Sequence, residues 1–483
     1  KNISVAELAT TTFDWDNMAN TYTSTSTGAS ADAVAELMHY CGASIQMDYN
    51  ISIRNSSEYN GSSAYNACIP QALKQYFGYD NGVEHTLRML YNYQEWVSLL
   101  YSELEAGRPI ILGGQSTGGG HSFVCDGYQV DDYFHINWGW GGVSDGYFRL
   151  TSLAPYEQGS GGSSSLDGFS YGQEAVIGIK PGDGITPKYC LSLEGLQFID
   201  NETSSERVFN RSSTGEGFSN IPLYATLCSY ILGTQSFDIA VMLVDESGDE
   251  IATLYEENDR KATFNEDFHI ERGTTPNDGL SFPAGVVDNI YYINIVARPH
   301  GKDYWQTCYN ASHLRIKAVV NGTALTLSAP HTSATPTCTA ISTSANPTTG
   351  SEMEVTATIR GGALDYNGNL FLKLNGTRVM GKQADIPANK EVNVRFTCIP
   401  TVAGNNTLAI YANSTPLNSV TVNVAESDAT MALTLADPVC TIQNLDDDNK
   451  LYGNSIRATI TLTNNSTVNR YKGTVNCSVR EYE

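Results

Sequence analysis

Apolar positions early in the chain recur at helical spacing. In "DAVAELMHYCGASI" Val34, Leu37, Met38 and Cys41 stand at i, i+3, i+4 and i+7, which predicts a helix with one apolar face and Cys41 in its core. "CIPQALKQYFGYD" starts a second helix with Pro70 at a first helical position and closes it at Gly78. "QEWVSLLYSELEAGRP" repeats the pattern and stops at Gly107, with Pro109 beyond. The period then switches to strands: "PIILGG", "HSFVCDGYQ", "DYFHINWG", "GYFRL" and "QEAVIGIK". Helices first and antiparallel strands after them predict an α+β domain over residues 1–183. A Gly/Ser-rich stretch at 157–173 interrupts it and reads as a mobile loop.

Beyond "IKPGDGITP" the pattern is all-β. "SFDIAVMLVDESGDEIATLYE" is a hairpin turning at Glu246–Gly248, and "NIYYINIVAR" and "LRIKAVVNGTALTLS" are further strands. The stretch 335–374 resembles 437–479, with Cys338 and Cys440 lying 102 positions apart. A looser copy starts near Cys190. A repeat of roughly a hundred residues built from short strands predicts immunoglobulin-like sandwiches. The expected division is 1–183, 184–330, 331–426 and 427–483, the last a partial repeat truncated at Glu483. Lys1 follows no apolar leader, so an upstream segment is expected as well.

Charge narrows the classes of partner. With 28 basic and 52 acidic residues the chain carries −24, which argues against nucleic acid, whose phosphates require Lys and Arg. The longest apolar runs are too short for a membrane-spanning helix. Such an acidic, Thr/Ser/Asn-rich chain suits work outside the cell. Ten cysteines without a C-x-x-C pair speak against zinc, and no cofactor is expected. Cys228 with Cys308, Cys338 with Cys398 and Cys440 with Cys477 are reasonable disulfides, and buried free thiols are the alternative. The acidic run 444–449 reads as a solvated turn rather than a calcium loop, because its carboxylates lack ligand spacing.

The candidate chemistry lies at "GGGHSFVCDGY…YFHINWGWGGVSDGYFRL". Three glycines before His121 let a substrate backbone approach closely. Sixteen residues later come Asn137, then Trp138 and Trp140, able to orient the ring and shield it from water. His135 is a rival base without the glycine approach. A histidine so equipped calls for a thiolate nucleophile. Cys125 lies about 13 Å along the same strand, beyond proton-transfer reach. Cys68, at a helix start, is the best internal candidate.

These blocks, with "FDWDNM", "VAELMHYCGASIQMDY", "QALKQYFGYD" and "AVIGIKP", resemble in order the streptopain family of secreted bacterial papain-like cysteine peptidases over about residues 10–182. The resemblance implies a papain-like α+β peptidase domain, lacking its N-terminal part in this chain, followed by the all-β immunoglobulin-like sandwiches. It implies His121 as catalytic base, Trp138 in the ring-orienting place with Asn137 beside it, and Ser63, Gly120 and Trp140 at the substrate. The 157–173 segment matches the family's loop flanking the cleft. The family's nucleophile opens a helix in a "GCVATA"-like motif ahead of "FDWDNM", and no such motif occurs here. The expected partners are therefore polypeptide substrates, an N-terminal fragment carrying the catalytic Cys, and a propeptide in the precursor. The family favours an apolar residue two positions before the cut. The expected activity is a secreted cysteine endopeptidase, extracellular or at the cell surface. The alternative is a non-catalytic adhesin or binding protein on a peptidase scaffold, for which the repeated sandwiches speak.

Overall fold

Helices α1 (Ala29–Ser44), α2 (Ile69–Tyr76) and α3 (Tyr93–Glu105) form where the apolar spacing predicts them. Pro70 sits in the first turn of α2, and Gly78 beyond its end takes φ +68°, a left-handed conformation that costs a residue without Cβ little. α3 opens with a capping box: the Asn92 side chain accepts from the Glu95 N–H and the Glu95 carboxylate accepts from the Asn92 N–H. The computed structural model describes residues 8–427 apart from 24, 50–61, 156–157, 159–166, 185, 199–205 and 331–334, together with short segments between 433 and 464. The acidic run 444–449 and most of the last expected repeat lie outside the described residues.

After a two-stranded pair, β1 (Asp48–Tyr49) and β2 (Ser62–Ser63), come the strands of the main N-terminal sheet. They are β3 (Glu84–Leu87), β4 (Ile110–Ser116), β5 (Gly119–Gln129), β6 (Tyr133–Asn137), β7 (Gly146–Phe148) and β8 (Tyr171–Ile177), in the spatial order β3-β8-β4-β5-β6-β7. Every pairing is antiparallel. Trp96 and Leu100 of α3 are fully buried and join Ile110, Leu112, Phe123, Phe134 and Ile136 of the sheet in one core. Period 3.6 on the helix meets period 2 on the strands there, and each supplies only its apolar side.

Residues from Ser192 to Ser328 build a seven-stranded and a three-stranded antiparallel sheet, whose core is continuous with that of the first part. The expected hairpin is present as Thr234–Val244 paired with Glu250–Thr263. Residues 337–424 build a three-stranded and a four-stranded sheet around a separate core that includes Val355, Ile359, Leu372, Phe396 and Ile410. The chain is therefore an α+β part followed by β-sandwiches.

Two expectations are corrected. The apolar face of α1 is not a core face: Met38 is 67% exposed and Cys41 is exposed, while only Ala33 and Gly42 are buried. Among the described residues this helix packs on the segment before it, through Phe13 against Tyr40 and the Tyr40 hydroxyl on the Ala9 carbonyl, not on the sheet. The C-terminal part of the expected loop, residues 167–171, is buried instead of mobile at a surface. Of the two alternatives for the cysteines, Cys228, Cys308, Cys338 and Cys398 take the free-thiol one, and Cys308 lies against Cys190.

Replacing Asn92 by Ala removes the cap of α3 and is expected to lower stability by about 1 kcal/mol. Urea unfolding of the full chain checks this, as a lower midpoint at unchanged slope.

Candidate active site

His121 lies on β5 just past the β4–β5 turn, opposite Gly114 of β4. Its Nε2 is 2.9 Å from the backbone carbonyl oxygen of Trp138. A carbonyl can only accept, so Nε2 carries the hydrogen and donates. The neutral ring then keeps its lone pair on Nδ1, the tautomer a general base requires. Aromatic rings enclose it: Trp140 stacks at 4.8 Å and 18°, Phe169 lies at 5.4 Å, Phe123 at 6.2 Å and Trp138 at 6.4 Å. None of the four titrates. Burial among them pushes the imidazole below its ordinary value, and the bond to the Trp138 carbonyl opposes that only in part.

The carbonyl is held by the turn that follows β6. The Trp138 N–H donates to Asp145 Oδ1 at 2.9 Å, and the Gly139 N–H donates to Asn137 Oδ1 at 2.9 Å. Gly139 adopts φ +75°, which a side chain would resist. Trp138 itself is fully buried and packs on Phe123 at 4.6 Å and Phe148 at 5.3 Å. Its backbone, not its indole, orients His121, and the indole nearest the ring is that of Trp140.

The structure gathers His121, Trp138 and Trp140 around one ring and Gly120 beside it. It leaves Asn137 off the ring: Asn137 pairs with Val124, is exposed, and spends its side chain on the turn. Ser63 is exposed on β2, paired with Asp48, and no described contact joins it to His121. Gly120 faces the Gln115 side chain, and a Cβ there would lie 2.6 Å from the Gln115 amide nitrogen. His135 is tied to Asp126 at 2.6 Å, with Tyr147 against its ring. Cys68 is a correction: it is 3% exposed and burial pushes its thiol up to about 11, so it is no thiolate near neutral pH. Cys125 is fully buried and pushed up to about 12.

One polar network under the site is not visible in the sequence. Ser122 Oγ donates to Asn66 Oδ1 at 2.8 Å, Asn66 Nδ2 donates to Glu174 Oε1 at 3.0 Å, and His85 Nε2 meets Glu174 Oε2 at 2.7 Å. It pins the strand of His121 from the opposite face. Gly113 makes room for it, since a Cβ there would lie 2.4 Å from the Asn66 amide nitrogen.

Residues 2–148 match the model of the Peptidase C10 family. Together with relatives named as streptopains, this places the N-terminal part of the chain in the streptopain family. Streptopain of Streptococcus pyogenes serotype M28 is 39% identical over 181 residues, covering 38% of this chain and 43% of that protein. The thiol protease/hemagglutinin PrtT of Porphyromonas gingivalis is 35% identical over 190 residues, covering 38% of this chain and 21% of that one. The structure of active wild-type Prevotella intermedia interpain A cysteine protease is 36% identical, with a TM-score of 0.30, covering 35% of this chain and 65% of that chain. The chain thus spans less than half the length of these curated relatives.

In histidine-resolved NMR of the full chain, His121 is expected to titrate below the ordinary value near 6.5. Trp140→Ala opens the ring to water and moves the midpoint up. The folded ring holds its proton less tightly than the unfolded one. Its contribution to stability is therefore complete above the unfolded-state value and is lost as pH falls through the folded-state value.

Proposed function

We propose that the chain belongs to a secreted cysteine endopeptidase, with His121 as general base and the nucleophilic Cys on a segment upstream of Lys1. One observation carries this reading: a histidine with its Nε2–H fixed on a carbonyl and its Nδ1 free to accept among the described residues. The described cysteines support the upstream placement, because the two nearest the site in sequence motif, Cys68 and Cys125, are buried and held as thiols.

In this mechanism Nδ1 takes the thiol proton as sulfur attacks the scissile carbonyl. The imidazolium forms while its Nε2–H still donates to the Trp138 carbonyl, and it later returns the proton to the leaving amine. Backbone N–H groups beside the nucleophile stabilise the oxyanion. Trp140 caps the ring against water, and Gly120 and Ser63 contact the substrate. Asn137 serves by building the turn that presents the carbonyl. The substrates are polypeptides, and a propeptide precedes the mature enzyme. The proposed units are 1–183, 184–330, 331–426 and 427–483. The second reading, an adhesin on a peptidase scaffold, draws on the sandwiches and on the hemagglutinin in the name of PrtT. A scaffold has no use for an imidazole poised in one tautomer, so the enzyme is preferred.

His121→Ala, in protein carrying its upstream segment, is expected to lower kcat/KM on casein-derived peptides by about 100- to 10,000-fold. Alkylation with iodoacetamide should abolish the rest. Full cleavage after alkylation would refute a thiol mechanism.

A further inference from the structure

The strand Thr377–Ile386 is an edge of the four-stranded sheet in the 337–424 sandwich. Edge strands present unpaired N–H groups that need covering. Two of them, at the alternate positions Gly381 and Gln383, point at the peptidase part. The Gly381 N–H donates to Asp167 Oδ2 at 3.2 Å, and the Gln383 N–H donates to the Ser170 carbonyl at 3.2 Å. Tyr171 packs edge-on against Phe371 at 5.0 Å, and the Gly172 N–H donates to Asn369 Oδ1 at 3.3 Å. Beside this seam the buried Arg88 guanidinium meets the Asp385 carboxylate at 2.8 Å.

Asp167 faces both ways. It is 3% exposed, and its carboxylate also accepts from the Thr117 N–H at 3.0 Å and the Thr117 hydroxyl at 3.1 Å. Thr117 is in the β4–β5 turn, four residues before His121. The Tyr171 hydroxyl donates to the Ser116 carbonyl of the same turn at 2.7 Å. Between Asp167 and Tyr171, Phe169 lies against the His121 ring at 5.4 Å. A buried carboxylate is tolerated only with its oxygens satisfied, and here the donors come from the turn on one side and the sandwich on the other.

We infer that the 337–424 sandwich is part of the frame of the active site, and that Asp167 is the positioning residue through which it acts on His121. The inference rests on His121 as the proposed base and names a second structural unit that holds it. Docking of the edge strand completes the partners of Asp167. That fixes the Thr117 turn and the Phe169 ring, and with them the enclosure of the imidazole. Undocking leaves the carboxylate to water and frees both.

The test uses the full 483-residue chain and no substrate, so a failure of the peptidase reading cannot be confused with a failure of this one. In Gly381→Val the new side chain meets the Tyr171 ring, whose carbons lie 2.5 and 2.6 Å from a Cβ at that position. Arg88→Glu sets like charges against Asp385 and is a second route to the same undocking. Asp167→Asn keeps the shape but weakens the bonds. Amide exchange at Gln383 reports undocking. The readouts are the NMR titration midpoint of His121 and amide exchange at Thr117–Gly120. Expected are a midpoint raised toward the ordinary histidine value and exchange about tenfold faster in whichever undocking variant folds, with a smaller change in the same direction for Asp167→Asn. An unchanged midpoint and unchanged exchange at 117–120, with Gln383 deprotected, would overturn the inference. So would an Asp167→Asn protein indistinguishable from the parent in both.

Discussion

The hydrogen bond from His121 Nε2–H to the Trp138 carbonyl is the constraint that gives this site its chemistry. A carboxylate in that place would hold the ring equally well but would also favour its protonated form. A neutral carbonyl sets the tautomer without adding a full negative charge. The aromatic shell then works in the opposite sense, disfavouring the charged ring and keeping the imidazole a base near neutrality. The two influences can be opposed in this way because one is a single directed contact and the other is burial.

The rest of the N-terminal part serves that contact. The turn after β6 delivers the carbonyl through Asp145, Asn137 and a left-handed Gly139. The network Ser122–Asn66–Glu174–His85 fixes β5 from below. Phe169 closes the ring from the side, over a Gly114 that leaves no space for a Cβ, which would sit 2.5 Å from the Phe169 carbonyl. Glycine is required at such positions because backbone or side chain already occupies the place its Cβ would take.

Much of this was legible in the sequence, for reasons that also set the limit. Pro70, Gly78 and Gly107 mark helix ends through their own backbone preferences, and the strands carry their alternation locally. His121, Trp138 and Trp140 stood out by residue type. The orienting group did not, since every residue bears a carbonyl and only the turn decides which one faces the ring. Asn137 drew notice because its amide resembles an orienting group, yet the turn consumes it. The end of the Gly/Ser-rich stretch, residues 167–171, reads as a surface loop because partners of Asp167 and Ser170, Gly381 and Gln383, lie some two hundred positions downstream. The exposed face of α1 shows the converse: helical periodicity reports that a face is apolar, not what covers it.

The seam between the peptidase part and the 337–424 sandwich meets two physical demands with one set of bonds. An unpaired sheet edge invites association with other chains, and a buried carboxylate needs donors. Setting the edge N–H groups on Asp167 and the Ser170 carbonyl answers both, and it takes no side chain from the sandwich at Gly381, where the Tyr171 ring fills the space. The N-terminal sheet supplies Asp167 with the Thr117 donors and the sandwich supplies the Gly381 N–H, so this buried carboxylate draws on both. The bonds that satisfy Asp167, two residues before the Phe169 ring that lies against His121, therefore come from two sheets rather than one.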